Sequence, residues 1–443
     1  MAASWRHPEC LMPAIYQYAG LTNTKTSGLS VEECASRVQH LAYVEERLML
    51  LQAAHVISVP ERDVKGLLAR LQYEDSQHAD MLKKRLPELR VSKKKAFQPP
   101  QSPLTIVFDE AMYADSTAEL LAALVTVFKP ALLAGYQSYL ATTNGLADYP
   151  AVRLIRIIMA EEEEALRLLS AAYDDVVNSP ERQAEANRWA EHLHTLLIAA
   201  GGVDGSGPVT PEAVVPRRAT GPYVIPRQLT RDDAFPRVWD FIHVENEQVN
   251  QRLAQMISTR LSEVTVAEGL ALVLCETPDQ PWEFYVDLAR HLWDEMRHSL
   301  FGEAAAEDIF GDRAAMPMRD FEAEYLFKMT PLELYALIGI GVEAALMKYP
   351  PGKREEYEFC RDSARYPLMR TLQDFDWADE VLHVNIARRQ LKEWYNGDQS
   401  ELVALAQQGL DFRASVRHAH PQSPLPDLNG RLAVRSEGDH ARH

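Results

Sequence analysis

The chain has 443 residues, 47% of them apolar and 25% charged, so it is long enough for two or three domains with substantial cores. Its 64 acidic and 46 basic residues give a net charge of −18, which disfavours nucleic-acid binding because an acidic surface repels a phosphate backbone. The four cysteines form no CxxC pair, so we expect reduced thiols in a cytoplasmic protein and neither a disulfide framework nor a zinc site.

The first part of the chain has the apolar periodicity of α-helices. Four long helices are predicted, at about residues 31–58, 60–85, 116–143 and 150–177. Pro60 supports the start of the second, because proline is well tolerated in a first helical turn. We therefore predict a helical module over residues 1–180.

A different composition follows. Residues 181–235 begin with a helical stretch and continue into AGGVDGSGPVTPEAVVPRRATGPYVIP at 200–226. This run is rich in glycine and proline and is longer than an ordinary connection, so it predicts a linker and a domain boundary.

A second helical module is predicted over residues 236–414. Its helices are expected at about 236–258, 260–276, 281–308, 331–348 and 355–395, the last interrupted near Pro367. The apolar stretch at 334–347 is too short to cross a bilayer and contains Glu343, so no membrane span is expected. The polar, proline-bearing residues 415–443 are predicted to form a mobile tail. The fold class is therefore all-α, with two four-helix modules joined by a linker.

The second module contains the pattern Asp-Glu-x-x-His twice. The two copies are Asp294, Glu295 and His298, and Asp379, Glu380 and His383. Residues three apart share one face of a helix, so each copy directs a carboxylate and an imidazole to the same place. Both copies lie on helices with an apolar face, where such groups are costly to bury unless they are paired or bound to a metal.

Each copy has a partner carboxylate on the preceding helix. For the second copy this is Glu343, which lies in the apolar run LIGIGVEAALM. For the first copy, counting from the turn at Pro281 favours Glu268, with Glu263 as the second choice.

One Glu from each of two helices and Glu-x-x-His from two others is the ligand set of carboxylate-bridged di-metal bundles. Residues 260–395 resemble the ferritin-like di-iron carboxylate superfamily, particularly its oxidases and oxygenases, and DEVLHVNIARR is similar to the last metal-binding helix of such proteins. The resemblance implies ferritin-like four-helix bundles and either two Fe ions or an Mn/Fe pair. It also implies that Asp379 orients His298 and that Asp294 orients His383.

The first module resembles the same bundle but is degenerate. It keeps Glu46 and an acidic pair followed by His78, while its third helix has no interior Glu and its fourth has Ala165 where a histidine would follow Glu162. We expect no complete metal pair there, and a packing, dimerising or pocket-forming role instead. His291, one turn before Glu295, is expected more often to be structural than to line the pocket.

The resemblance favours an enzyme that uses dioxygen and an external electron donor to oxidise a small organic molecule. A ferroxidase or metal-storage protein and a non-catalytic helical scaffold are the alternatives. No membrane or nucleic-acid partner is expected, and a homodimer is an open alternative.

Overall fold

The computed structural model describes residues 18–242, 248–394, 398–426 and 428. Within these ranges the regular structure is almost entirely helical, and the only strands are the short β1 (Arg237–Val238) and β2 (Met318–Arg319), which pair in parallel. The prediction of an all-α chain is therefore confirmed.

The described residues divide into two compact units. Unit 1 comprises Met1–Leu48 and Glu74–Tyr223, and unit 2 comprises Met49–Tyr73 and Val224–His443. The boundary between Tyr223 and Val224 lies inside the predicted Pro/Gly-rich linker. Residues 49–73, placed in the first module by the sequence, belong to unit 2 because they form buried ion pairs there, including Arg62 with Glu303 at 2.5 Å.

Unit 1 is a helical bundle in which long helices surround a buried aromatic core. Phe108 and Phe128 stack with their ring centroids 4.8 Å apart, and Tyr136 and Tyr139 are fully buried. The helices that contribute to this unit are α1 (Val31–His55), α2 (Arg62–Arg85), α3 (Lys93–Ala96), α4 (Leu104–Ala111), α5 (Thr117–Ala122), α6 (Lys129–Thr142), α7 (Tyr149–Val176) and α8 (Pro180–Ala199). Only parts of α1 and α2 lie in unit 1.

One helical stretch of unit 1, Thr117–Thr142, is long and apolar enough to cross a membrane by length and composition. In its most apolar window 72% of the residues are buried inside the protein, as in the core helix of a soluble protein. The stretch contains a π-helical segment, Ala123–Phe128, between α5 and α6.

Unit 2 is also helical. Its helices after the linker are α9 (Val249–Ser262), α10 (Val264–Glu276), α11 (Trp282–Phe310), α12 (Phe321–Leu326), α13 (Pro331–Ala336), α14 (Ala344–Leu346), α15 (Lys353–Glu358), α16 (Pro367–Trp394) and α17 (Gln399–Arg417). A π-helical segment, Leu337–Glu343, joins α13 to α14. Gly339 in this segment packs so closely on α16 that a side chain there would collide with Ala387.

Two predicted boundaries in unit 2 differ from the structure. The helix expected from residue 236 begins at Val249, because the preceding backbone enters β1. The tail was predicted to begin at residue 415, but α17 continues to Arg417. Beyond it, the backbone of Ser423 forms hydrogen bonds of 2.8 Å with Asp240 and 2.9 Å with Ile242. Residues 427 and 429–443 of that tail lie outside the described residues.

Candidate metal centre

Unit 2 contains two neighbouring groups of buried metal-ligand residues. Group A consists of His291, Glu295, Glu343 and His383, and group B consists of Glu263, His298, Asp376 and Glu380. Within each group the potential ligand atoms lie within 4.8 Å of one another, and no member is more than 8% exposed. Two sets of oxygen and nitrogen donors therefore converge inside the helical core.

Two helices supply most of these side chains, with the same spacing. α11 contributes residues 291, 295 and 298, and α16 contributes residues 376, 380 and 383. Positions i, i+4 and i+7 lie on one face of an α-helix, so each helix presents all three side chains to the centre. Glu343 comes from the end of the π-helical segment, and Glu263 from the junction between α9 and α10.

Group A is closely packed. His291 Nε2 lies 2.8 Å from Glu343 Oε1, and His383 Nδ1 lies 3.2 Å from Glu295 Oε1. The rings of His291 and His383 stack with centroids 3.9 Å apart. Two imidazoles and two carboxylates thus face one point.

Group B is connected to group A through Glu295. His298 Nδ1 lies 3.6 Å from Glu295 Oε1, 3.9 Å from Glu263 Oε2 and 3.3 Å from Asp376 Oδ1. Because Glu295 Oε1 also approaches His383, this carboxylate is shared by the two groups.

The far nitrogens of two histidines are held by aspartates on the opposite helix. Asp379 Oδ2 lies 3.3 Å from His298 Nε2, and Asp294 Oδ2 lies 3.3 Å from His383 Nε2. This is the crossed pairing that the family resemblance implied. A carboxylate at Nε2 favours the tautomer in which Nδ1 carries a lone pair, and Nδ1 is the atom that faces the ligand groups.

We expect Asp379→Asn to weaken metal binding by about 10- to 100-fold, because the loss of a carboxylate that orients a ligand histidine has effects of that size. Direct titration of the metal-free chain with Mn²⁺ would measure it. Asp374→Asn, an exposed change on the same helix, is the matched control and should leave the affinity unchanged. Equal affinities in the two variants would show that Asp379 does not orient His298.

Besides His291 Nδ1, six buried atoms at this centre have no hydrogen-bond partner. They are Glu263 Oε2, Glu295 Oε1, His298 Nδ1, Glu343 Oε2, Glu380 Oε2 and His383 Nδ1. Buried polar atoms are almost always paired, and several unpaired lone pairs that face one another are unfavourable unless a cation lies between them. The residues present therefore fit metal ions.

A buried lysine lies beside group B. Lys353 Nζ is 2.9 Å from both carboxylate oxygens of Asp376 and 2.9 Å from Glu380 Oε1. Arg260 also binds Asp376. Asp376 is thus engaged by two cations, while Glu380 keeps its second oxygen unpaired and directed to the centre.

The pKa shifts at this centre reflect burial of many charges together. Burial raises the pKa of Glu263 to about 8, against the opposing effect of Arg260 and Lys353. Burial alone would lower the pKa of His298, but Asp376 and Glu295 outweigh it and raise that pKa to about 10. Glu263 and His298 therefore favour their protonated forms, whereas His298 outweighs the effect of burial on Glu295 and holds the pKa of that carboxyl well below its usual range.

Glu268, the predicted ligand of the first partner helix, lies elsewhere. It is fully buried and binds Lys65 and Arg231, with Arg231 Nη2 at 2.6 Å from Glu268 Oε2. Glu263, the second choice from the sequence, takes the position beside His298. The other five predicted ligands all lie in groups A and B.

Three further residues lie at the centre: His291, for which the sequence favoured a structural role, and Asp376 and Lys353, which it did not single out. His291 and Asp376 each lie four residues before the Glu of an Asp-Glu-x-x-His copy, and this repeated spacing was the available signal. Lys353 had no such signal, because its contacts with Asp376 and Glu380 depend on tertiary packing.

A small cavity adjoins the carboxylates of both groups. Its volume is about 60 Å³, and its lining combines Glu263, Glu295, Glu343 and Glu380 with apolar side chains such as Ile338. A space of this size admits dioxygen or a few water molecules.

No protein-family model, curated protein or solved structure matches this chain.

Proposed function

We propose that groups A and B of unit 2 form the active centre of a non-haem di-iron oxidase or oxygenase of the ferritin-like type, which acts with dioxygen on a small organic molecule. The observation that carries this proposal is the convergence of six unpaired ligand atoms in one buried pocket. They come from Glu263, Glu295, His298, Glu343, Glu380 and His383. Mixed carboxylate and imidazole donors suit Fe²⁺ and Mn²⁺, so an Fe/Fe or an Mn/Fe pair is compatible with the site.

Charge balance supports two divalent ions. Four of the six ligands are carboxylates, which together carry a formal charge of −4. Two divalent cations would neutralise that charge. The neighbouring carboxylate of Asp376 already has Lys353 and Arg260 as counter-ions.

Individual side chains would have distinct roles in holding the ions. His298 and His383 would each anchor one ion, with Asp379 and Asp294 keeping their Nδ1 atoms available. Glu295 lies close to the imidazoles of both His298 and His383 and would be a ligand at both metal positions. His291 would add a nitrogen ligand on the Glu343 side.

Bound iron would supply the electrons that reduce dioxygen, and an external donor would restore them. The chain would keep bulk water out through the apolar lining of the cavity, including Val266, Leu337 and Val342. A reducing cytoplasm would provide the donor, and the thiols of Cys34 and Cys360, which form no disulfide, agree with that location.

A ferroxidase is the second candidate, and the size of the cavity favours it. About 60 Å³ leaves no room for an organic substrate beside the carboxylates unless side chains move. The two candidates differ in their product, since a ferroxidase would accumulate oxidised iron.

The proposal is tested by loading metal-free chain with Fe²⁺ under anaerobic conditions. We expect it to bind two more equivalents of iron than the double variant His298→Ala/His383→Ala, hereafter the emptied variant. On exposure to air, the loaded chain should change its absorption spectrum and consume dioxygen continuously when a reductant is supplied.

Each other outcome has a defined meaning. Equal iron in the chain and the emptied variant would contradict the metal centre. Oxygen uptake that stops once the iron is oxidised, with mineral formation, would support the ferroxidase. Two additional equivalents of iron without any oxygen uptake would contradict both oxidative functions.

A further inference from the structure

Unit 1 contains its own buried group of potential metal ligands. The group consists of Glu45 on α1, Asp75 and His78 on α2, and Glu162 on α7, with ligand atoms within 4.8 Å of one another. The α1 carboxylate is Glu45 and not the neighbouring Glu46 expected from the sequence, because Glu46 pairs with Lys83 at 2.6 Å.

Three atoms of this group face one another without a hydrogen-bond partner. They are Glu45 Oε2, His78 Nδ1 and Glu162 Oε2. His78 is 1% exposed, and its Nδ1 lies 3.5 Å from Glu45 Oε2 and 3.2 Å from Glu162 Oε1. An unpaired imidazole nitrogen aimed at buried carboxylates is the arrangement of a metal ligand.

The orientation of His78 repeats that of His298 in unit 2. Glu161 Oε2 lies 2.7 Å from His78 Nε2, so Nδ1 is left to face the ligand group. Glu161 immediately precedes Glu162, just as Asp379, which holds His298, immediately precedes Glu380.

The differences between the units affect mainly one metal position. Each unit contains a π-helical segment, Ala123–Phe128 in unit 1 and Leu337–Glu343 in unit 2. In unit 2 it ends at Glu343, whereas in unit 1 it is followed directly by Lys129. On the fourth helix, Ala165 stands three residues after Glu162, where unit 2 has His383 after Glu380. Unit 1 therefore lacks counterparts of Glu343 and His383, and Ile158 stands where unit 2 has Asp376. It keeps Asp75 at the position of Glu295, His78 at that of His298 and Glu162 at that of Glu380, together with Glu45 from α1.

A buried lysine, Lys129, supplies a positive charge to this group. Lys129 Nζ lies 2.7 Å from Asp75 Oδ1 and 2.8 Å from Glu162 Oε1, and it is fully buried. Three buried carboxylates and one ammonium leave a formal charge of minus two when His78 is neutral. One divalent cation would neutralise this group, whereas two would overcharge it.

We propose that unit 1 holds a single divalent first-row metal ion at Glu45, Asp75, His78 and Glu162, with the ammonium of Lys129 in place of a second ion. This site is independent of the function proposed for unit 2, because it lies in a different compact unit and uses none of the same residues. Mn²⁺ is a suitable probe, since an isolated Mn²⁺ ion has a characteristic resolved hyperfine pattern in electron paramagnetic resonance.

The test uses the full-length emptied variant, so that the ligands of unit 2 are disrupted. Loaded with Mn²⁺ and freed of excess ion, it should retain one equivalent with the spectrum of an isolated ion. Adding His78→Ala should remove that equivalent, while adding His194→Ala, at an exposed histidine of the same unit, should not. Glu45→Gln provides a near-isosteric second variant in case His78→Ala does not fold, and it should weaken binding by about 10-fold or more.

A folded emptied variant that binds no Mn²⁺ would overturn the site and would show that Lys129 alone satisfies the cluster. Retention of the ion by the folded His78→Ala and Glu45→Gln forms would overturn it equally. Failure of the unit 2 proposal is a separate result, because it would appear as equal metal contents in the unaltered chain and the emptied variant.

Discussion

Replacement of either His298 or Glu343 by alanine is expected to remove the proposed metal pair of unit 2 and, with it, the proposed sustained oxygen consumption. His298 is the only imidazole of group B, and Glu343 is the carboxylate closest to His291, at 2.8 Å. Loss of a residue that merely orients a ligand weakens metal binding by about 10- to 100-fold, so loss of the ligand itself should exceed about 100-fold.

The measurement is the metal content of each variant, compared with the unaltered chain after identical loading. His194→Ala is the control, because it removes an exposed histidine outside both ligand groups. Each ligand variant should lose metal and no longer show the magnetic coupling of a pair, while the control keeps both. Equal metal contents in all three variants would contradict the assignment.

Much of this centre could be predicted because its chemistry follows helical spacing. Glu295 with His298 and Glu380 with His383 are local pairs, and a three-residue spacing fixes their common face without knowledge of the fold. Glu343 was recognisable because a lone carboxylate in an apolar run needs a partner. The hydrogen bonds that His298 donates to Asp379 and His383 donates to Asp294 were expected only from the family resemblance.

The first-helix ligand could not be assigned by counting residues from Pro281. That count assumes one regular helix, but α9 ends at Ser262 and α10 begins at Val264, with Glu263 at the junction. The buried Lys65 that binds Glu268 is 203 residues away in the chain. Nothing local to Glu268 distinguishes a carboxylate paired with such a lysine from one that binds a metal.

In unit 1, too, features set by local sequence could be predicted, whereas features set by tertiary packing could not. The absence of a histidine at Ala165 and of a glutamate in the third helix was visible in the sequence. The position of Lys129 between Asp75 and Glu162 was not, because three helices contribute to it. The sequence therefore indicated which ligands unit 1 lacks, but not that the ammonium of Lys129 lies between the remaining carboxylates.

Glu268→Ala should destabilise the metal-free chain by about 3–5 kcal/mol while leaving its metal content unchanged, because breaking a buried ion pair strands the remaining charge. Glu263→Ala should have the opposite result, with metal lost and little change in stability, since Glu263 Oε2 is unpaired and Arg260, the partner of Glu263 Oε1, keeps its ion pair with Asp376. Urea unfolding and metal analysis of both variants measure the two effects.

The loss of stability in Glu268→Ala should also depend on pH. Burial lowers the pKa of Lys65 from 10.5 to about 8, and Glu268 is the main group that opposes this shift. Without Glu268 the pKa of Lys65 in the folded chain falls further below 10.5, its value in the unfolded chain. Between these two pKa values the unfolded chain therefore binds more protons than the folded chain. Stability then rises with pH up to about 10.5, and the deficit should be larger at neutral pH than at pH 10. A pH-independent deficit would show that Lys65 is not the stranded charge, and loss of metal from Glu268→Ala would return Glu268 to the ligand set.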